Sequence, residues 1–278
     1  MDPRTPIGPP ELLAPAGGGE ALRAVLATGA DAVYVGARGW SRGGPRLGLS
    51  PGEISRAARE CARAGAALHV ALNTVPAAAE VPAYLSALRR LRDDGIRNVI
   101  LSDPGAISLV HREIPDLSIC ASVGVSALNP PEAIFYRELG ARTIVLPTAV
   151  SSGEVPAIKA ASGLRIEVFI RCRAEFILQG KCGLSGYARE AGGIAERPGL
   201  AAAGPPSSAK RSGRCFLVCA ALPVDRTPYS IEEELGDWIA AGVDAFKIEG
   251  RDLPPAKLAS LVSRLRAKLD AAIASRGA

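Results

Sequence analysis

The sequence predicts an α/β fold: a single (β/α)8 TIM-like barrel, regular or distorted, with a long cysteine-bearing insert after its seventh strand. Three observations predict it. Short apolar runs alternate with segments of helical spacing along the 278 residues, most runs end in a turn-forming or polar residue, and no second core interrupts the series. A chain of this length suits one such barrel, which ordinarily takes about 250 residues. Residues 1–10 read as a Pro-rich N-terminal arm, and the barrel is expected over 11–275, with the insert at 172–228.

The first strand is expected over 11–14, closed by Pro15 and Gly17. Leu22, Val25 and Leu26 then recur at helical spacing until Gly29, and the run 32–36 supplies a second strand. Such short crossovers imply parallel strands with right-handed connections. Ser50, Pro51 and Glu53 open the next helix, combining an N-cap, Pro at the first position and a carboxylate three residues after the cap. Its apolar side holds Ile54, Ala57, Ala58 and Cys61. Strands follow at 68–72, 98–101, 118–122 and 143–146, separated by helices at 81–92, after Asp103-Pro104 and at 131–139. Ser151 to Glu154 starts another helix, and 165–170 is the seventh strand. About 60 residues then pass before Ser230 to Glu233, read as a helix cap, the eighth strand at 244–248 and a final helix at 255–273.

A parallel barrel gathers its chemistry at the C-terminal ends of its strands. Polar residues there are therefore site candidates: Arg42, Asn73, Asp103, Lys247, Glu249 and Arg251. Arg251 with Lys247 suits an anionic organic acid, because guanidinium engages a carboxylate bidentately. For each of these residues the alternative is structural, as an ion pair, a helix cap or a solvated side chain.

Four of the six cysteines, Cys172, Cys182, Cys215 and Cys219, fall in one loop-bearing segment, whereas Cys61 and Cys120 sit within apolar patterns that bury them. Four thiolates suit tetrahedral zinc or an iron-sulfur cube. The spacing is nine intervening residues in the first pair and three in the second. Neither is the paired C-x2-C of zinc sites, so a 4Fe-4S cluster is the expected cofactor, with zinc as the alternative.

The formal charge is +5, a modest basic excess that fits an anionic ligand or RNA and equally an ordinary globular surface. The longest apolar run is too short to cross a bilayer, and the N-terminus lacks a charged-then-apolar signal, so no membrane span and a cytoplasmic location are expected. Reduced thiols there favour metal chemistry over disulfides.

The motifs ELLAPAG, ADAVYVG, LSDPG, IVLP, EVF followed by GKC, and the late FKIEGR occur in an order and spacing that resemble the collagenase-like peptidase family U-thirty-two along nearly the whole chain. The resemblance implies a barrel-like domain that holds a four-cysteine 4Fe-4S cluster. It also implies a role in oxygen-independent hydroxylation with prephenate as oxygen source. Within the family, the UbiU/UbiV-like branch acts in ubiquinone biosynthesis and other members act on ribosomal or transfer RNA. Cys182 matches the family's GRC-type cysteine, and Cys215 with Cys219 matches the C-x3-C pair of the UbiV-like branch. The remaining ligand position of the family falls on Glu175 or Trp40, which leaves Cys172, Glu175 or no residue as the fourth ligand.

Proteolysis is not expected. The two histidines, His69 and His111, begin no metalloprotease motif. The leading expectation is a hydroxylase or hydroxylase subunit acting on a ubiquinone precursor or other small aromatic, with a prephenate-like organic acid as co-substrate. RNA is the alternative substrate. A second alternative is a non-catalytic, cluster-bearing subunit paired with a paralogous partner.

Overall fold

A computed structural model describes residues 8–42, 48–173 and 227–277. Most of the N-terminal arm and of the insert, including Glu175, Cys182, Cys215 and Cys219, lies outside the described residues.

The described strands are β1 (Glu11–Pro15), β2 (Ala32–Ala37), β3 (Gly48–Leu49), β4 (Ala67–Ala71), β5 (Asn98–Leu101), β6 (Ser118–Ala121), β7 (Ala141–Val145), β8 (Arg165–Cys172), β9 (Tyr229–Ser230) and β10 (Ala245–Ile248). Eight of them form a parallel ring in the order β1-β10-β8-β7-β6-β5-β4-β2, and the pairing of β1 with β2 shuts it. The short β3 adds to the end of β2, and β9 lies antiparallel on the end of β8. The fold is therefore the expected TIM-like α/β barrel. The described α-helices are α1 (Gly19–Leu26), α2 (Pro51–Arg63), α3 (Val81–Asp93), α4 (Pro104–Glu113), α5 (Pro130–Glu138), α6 (Val155–Ser162), α7 (Leu235–Ala240) and α8 (Pro255–Gly277).

Strands covered on both faces need apolar residues on both, and β2 is buried at every position. Successive side chains alternate between two cores. The outer core lies between ring and helices and takes Leu12, Val33, Val70, Val99, Ile144 and Phe246. The inner core fills the barrel with Leu13, Tyr34, Ala71, Ile100, Cys120, Val145 and Phe169. Cys61 belongs to the outer core and Cys120 to the inner one; burial pushes the Cys61 thiol up to about 11 and raises that of Cys120 as well.

Local signals set the helix starts. Glu53 Oε2 accepts from Ser50 N at 2.7 Å and Ser50 Oγ at 2.6 Å, and these bonds hold its carboxyl below the ordinary range. Glu154 accepts from Ser151 in the same way ahead of α6. The helix expected from Ser230 is different: Ser230 is in β9 and α7 begins at Leu235. Glu232, expected in the first turn, instead accepts from Ser230 Oγ at 3.1 Å and pairs with Arg264 and Lys268 of α8. Tertiary pairing has displaced the local cap. At the opposite end of the barrel from the strand C-termini, Lys159 of α6 donates to Gly242 O at 2.6 Å and to both Asp244 oxygens, while Asp244 Oδ2 accepts from Ile166 N at 2.7 Å. One lysine thus ties α6 to the entries of β8 and β10.

Candidate functional site

Inside the barrel, Lys247 Nζ lies 2.7 Å from Glu167 Oε1. It also sits 4.6 Å from the centre of the Tyr34 ring and 5.9 Å from that of Phe169. Lys247 is thus an interior ion-pair partner. Beside this pair, burial depresses the His69 imidazole to about 4, against the smaller upward pull of Glu167, so the ring is neutral at ordinary pH. Tyr34 spans the interior above them and donates its hydroxyl to Ile248 O at 3.0 Å. Burial raises its phenol far above the ordinary value, keeping it a neutral donor.

The inward positions that follow along the strands reach the mouth. They are Gly36 after Tyr34, Asn73 after Ala71, Ser102 after Ile100 and Glu249 after Lys247. Asn73 Oδ1 accepts from Arg42 N at 3.0 Å, and Thr74 N donates to Trp40 O at 3.1 Å. Trp40 meets Tyr84 edge-on with ring centres 5.2 Å apart, and Tyr84 donates to Leu72 O at 2.7 Å. The loop after β2 is therefore pinned to the end of β4, which positions Ser41 and Arg42. The guanidinium of Arg251 lies 5.7 Å from the Tyr34 ring centre.

Several polar atoms at this mouth are buried without a hydrogen-bond partner among the described residues: Ser41 Oγ, Arg42 Nε, Thr74 Oγ1, Ser102 Oγ and Arg251 Nη1. Two glycines make room for them. A Cβ on Gly36 would stand 2.3 Å from Ser41 Oγ and 2.5 Å from Arg251 Nη1, and one on Gly124 would stand 2.7 Å from Ser102 Oγ and 3.9 Å from Arg42 Nη1. Ser41 and Arg251 thus meet at Gly36, Ser102 and Arg42 meet at Gly124, and the chain neighbours Ser41 and Arg42 link the two groups. Asp103, by contrast, caps α4 by accepting from Ala106 N at 2.7 Å, and Glu249 accepts from Arg173 N at 2.6 Å. Asn73 acts through the loop it holds.

Cys172 is brought to the same end. The pairing of β8 with β10 slips between Lys247 and Ile248, so that Phe169 faces Lys247 while Arg171 faces Ile248. This bulge inserts one extra residue in β8. Residues three apart in a regular strand face opposite ways, yet Phe169 and Cys172 both join the inner core. The Cys172 thiol is buried, and its charge would bear on Tyr34 and Tyr229. A sulfur at the mouth, with Tyr229 packed on it, fits a ligand of a soft metal centre. The described residues contain no group of three or more His, Cys, Asp or Glu side chains able to hold a metal. Cys182, Cys215 and Cys219, the ligands expected beside Cys172, lie outside the described residues.

Sequence reasoning passed over Ser41, Tyr34 and Glu167 and set His69 aside. Period-2 counting along β2, β4, β8 and β10 is the signal that places Tyr34, His69, Glu167 and Lys247 inside one barrel. Nothing in the sequence marks Ser41, whose position depends on the pinned loop.

The sequence model of Peptidase family U32 matches residues 17–219. The tRNA hydroxylation protein P of Escherichia coli (strain K12) is 30% identical over 179 residues, covering 64% of this chain and 40% of that protein. The tRNA hydroxylation protein P1 of Bacillus subtilis (strain 168) is 28% identical and covers 94% of this chain and 63% of its own length. The 23S rRNA 5-hydroxycytidine C2501 synthase of Escherichia coli (strain K12) is also 28% identical, covering 96% of this chain and 40% of that protein. The chain thus spans between 40% and 63% of the length of these relatives. Among solved structures, a U32 peptidase superposes with a TM-score of 0.62 at 18% identity, covering 88% of this chain and 94% of that one. A thiamine phosphate pyrophosphorylase from Pyrococcus furiosus reaches 0.52 at 12% identity, covering 94% and 96%. At such identities the likeness is one of fold. With well over half of its residues matched by the family model, the chain belongs to peptidase family U32.

Proposed function

We propose that this chain is the barrel of an RNA hydroxylation protein acting on transfer or ribosomal RNA. The observation that carries the reading is the similarity to RNA hydroxylation proteins from two bacteria, which in two cases covers more than nine tenths of this chain. Two guanidinium groups at the mouth, each with a buried nitrogen that no described residue bonds, support it, because an RNA strand approaches as a polyanion. The ubiquinone-precursor reading finds no counterpart among these relatives and serves as the control. A prephenate-like organic acid as oxygen source and a paralogous partner chain remain parts of the proposal.

In this reading Cys182, Cys215 and Cys219, with Cys172 as fourth ligand, would hold a 4Fe-4S cluster. The cluster would supply electron transfer or activation of the oxygen donor. The chain's own residues do the rest. Tyr34 and the Lys247–Glu167 pair close the barrel floor, and the loop pinned by Asn73 presents Ser41 and Arg42.

The test is mass spectrometry of nucleosides from tRNA and rRNA, and of quinones, in a strain lacking this protein. Loss of a hydroxylated nucleoside, restored by the intact gene and not by a Cys182→Ala gene, is the expected result. Unchanged nucleosides with a fall in quinone would overturn the RNA reading.

A further inference from the structure

We infer that Ser41, Arg42, Ser102 and Arg251, lined up past Gly36 and Gly124 at the barrel mouth, form a pocket for one small oxyanion group, a carboxylate or a phosphate. A buried guanidinium nitrogen without an acceptor costs free energy unless a ligand supplies one. Here two guanidinium groups each carry such a nitrogen, Arg42 Nε and Arg251 Nη1, and two hydroxyls stand beside them equally unpartnered. Ser41 is only 4% exposed, so its hydroxyl is not a surface group left to water.

The spacing has a cause. Gly36 and Gly124 are the points at which a side chain would collide with these groups, and their missing Cβ atoms leave the room in which the donors stand. Gly36 lies in regular strand without a left-handed φ, so its glycine is explained by space and not by backbone conformation.

The neighbouring acids are committed elsewhere. Glu167 pairs with Lys247 below Tyr34, Asp103 caps α4, Glu249 accepts from Arg173 N and Asp252 pairs with the Arg173 side chain. Among the described residues this leaves two guanidinium nitrogens and two hydroxyls at the mouth that no carboxylate claims. Guanidinium forks match carboxylate and phosphate geometry alike, and hydroxyls donate to either. The pocket concerns binding by the folded chain and holds whether or not RNA is the acceptor, so the two proposals fail in different measurements.

Isothermal titration of the purified full chain at low salt with inorganic phosphate, and separately with malonate, tests it. Saturable one-to-one binding of at least one is expected. Phosphate binding with no malonate binding assigns the pocket to a nucleotide phosphate, and the reverse assigns it to an organic acid. Arg251→Gln and Arg42→Gln should each weaken the binding by about tenfold or more, as expected for loss of a charge-assisted bond. Ser102→Ala, a smaller change that leaves the fold intact by circular dichroism, should weaken it severalfold. Arg112→Gln on the exposed end of α4 should leave it unchanged. Absence of binding by both anions, or variants of Arg251, Arg42 and Ser102 that all bind like the parent, would overturn the proposal.

Discussion

Lys247 Nζ and Glu167 Oε1 meet at 2.7 Å inside the barrel, with side chains only 7% and 2% exposed. Removing one partner leaves the other as an uncompensated buried charge. Lys247→Met should therefore destabilise the chain by about 3–5 kcal/mol, and Glu167→Gln by a similar amount. The double variant Lys247→Met/Glu167→Leu should recover most of the loss, because two apolar side chains replace the pair without a stranded charge. Urea unfolding of the three variants checks this, and a double variant worse than both singles would refute it.

His69 sets an acid limit. Its folded value is about 4 against an ordinary 6.5, because burial disfavours the imidazolium. Between those two values the unfolded chain takes up a proton that the folded chain refuses, so stability falls as pH is lowered. The slope approaches about 1.4 kcal/mol per pH unit and flattens below the folded value. His69→Gln should remove that component of the pH dependence. Parallel stability curves for the two proteins from pH 7 to pH 4 would show the expectation to be wrong.

Metal content separates the cofactor alternatives. Anaerobically purified chain should be brown and carry about four iron and four sulfide per cluster. Replacing Cys182, Cys215 or Cys219 with Ala should abolish the colour, and Cys172→Ala should lower cluster retention and speed its loss in air. A colourless protein with one zinc would replace the cluster with a structural site.

Tyr34→Phe removes only the hydroxyl that donates to Ile248 O. The expected cost is about 1–3 kcal/mol, the range for a buried acceptor left without its donor. Because β1 lies between β2 and β10 in the ring, the loss should appear as faster hydrogen exchange in all three strands.

Much of the fold was legible because each strand advertises itself twice, by a β-rich apolar run and by the turn residue that ends it. The eighth strand and the run after Gly29 are examples, since buried strands cannot carry polar residues without partners. Ser230 was misread because its capping pattern is local, whereas the partners that claim Glu232 come from α8, more than thirty residues on. The site was less legible. Asp103 looks like a rim carboxylate until its bond to Ala106 N is seen, and Ser41 gains meaning only through the Asn73 and Trp40 anchors. Charge and position are written in the chain; whether a charge already has a partner is a property of the folded arrangement.

The extra residue in β8 carries a lesson about how such barrels diversify. Pleat parity, not sequence offset, decides which side chains face the lumen, so one inserted residue transfers every later position of a strand to the other face. A lineage holding such an insertion has two frames in which to place a thiol beside the mouth. Alignments that demand a fixed distance between cysteines will miss one of them. Deleting Ile170 should remove the bulge and set Cys172 two places after Phe169, so that its sulfur keeps facing the lumen while its sequence distance from Phe169 falls by one.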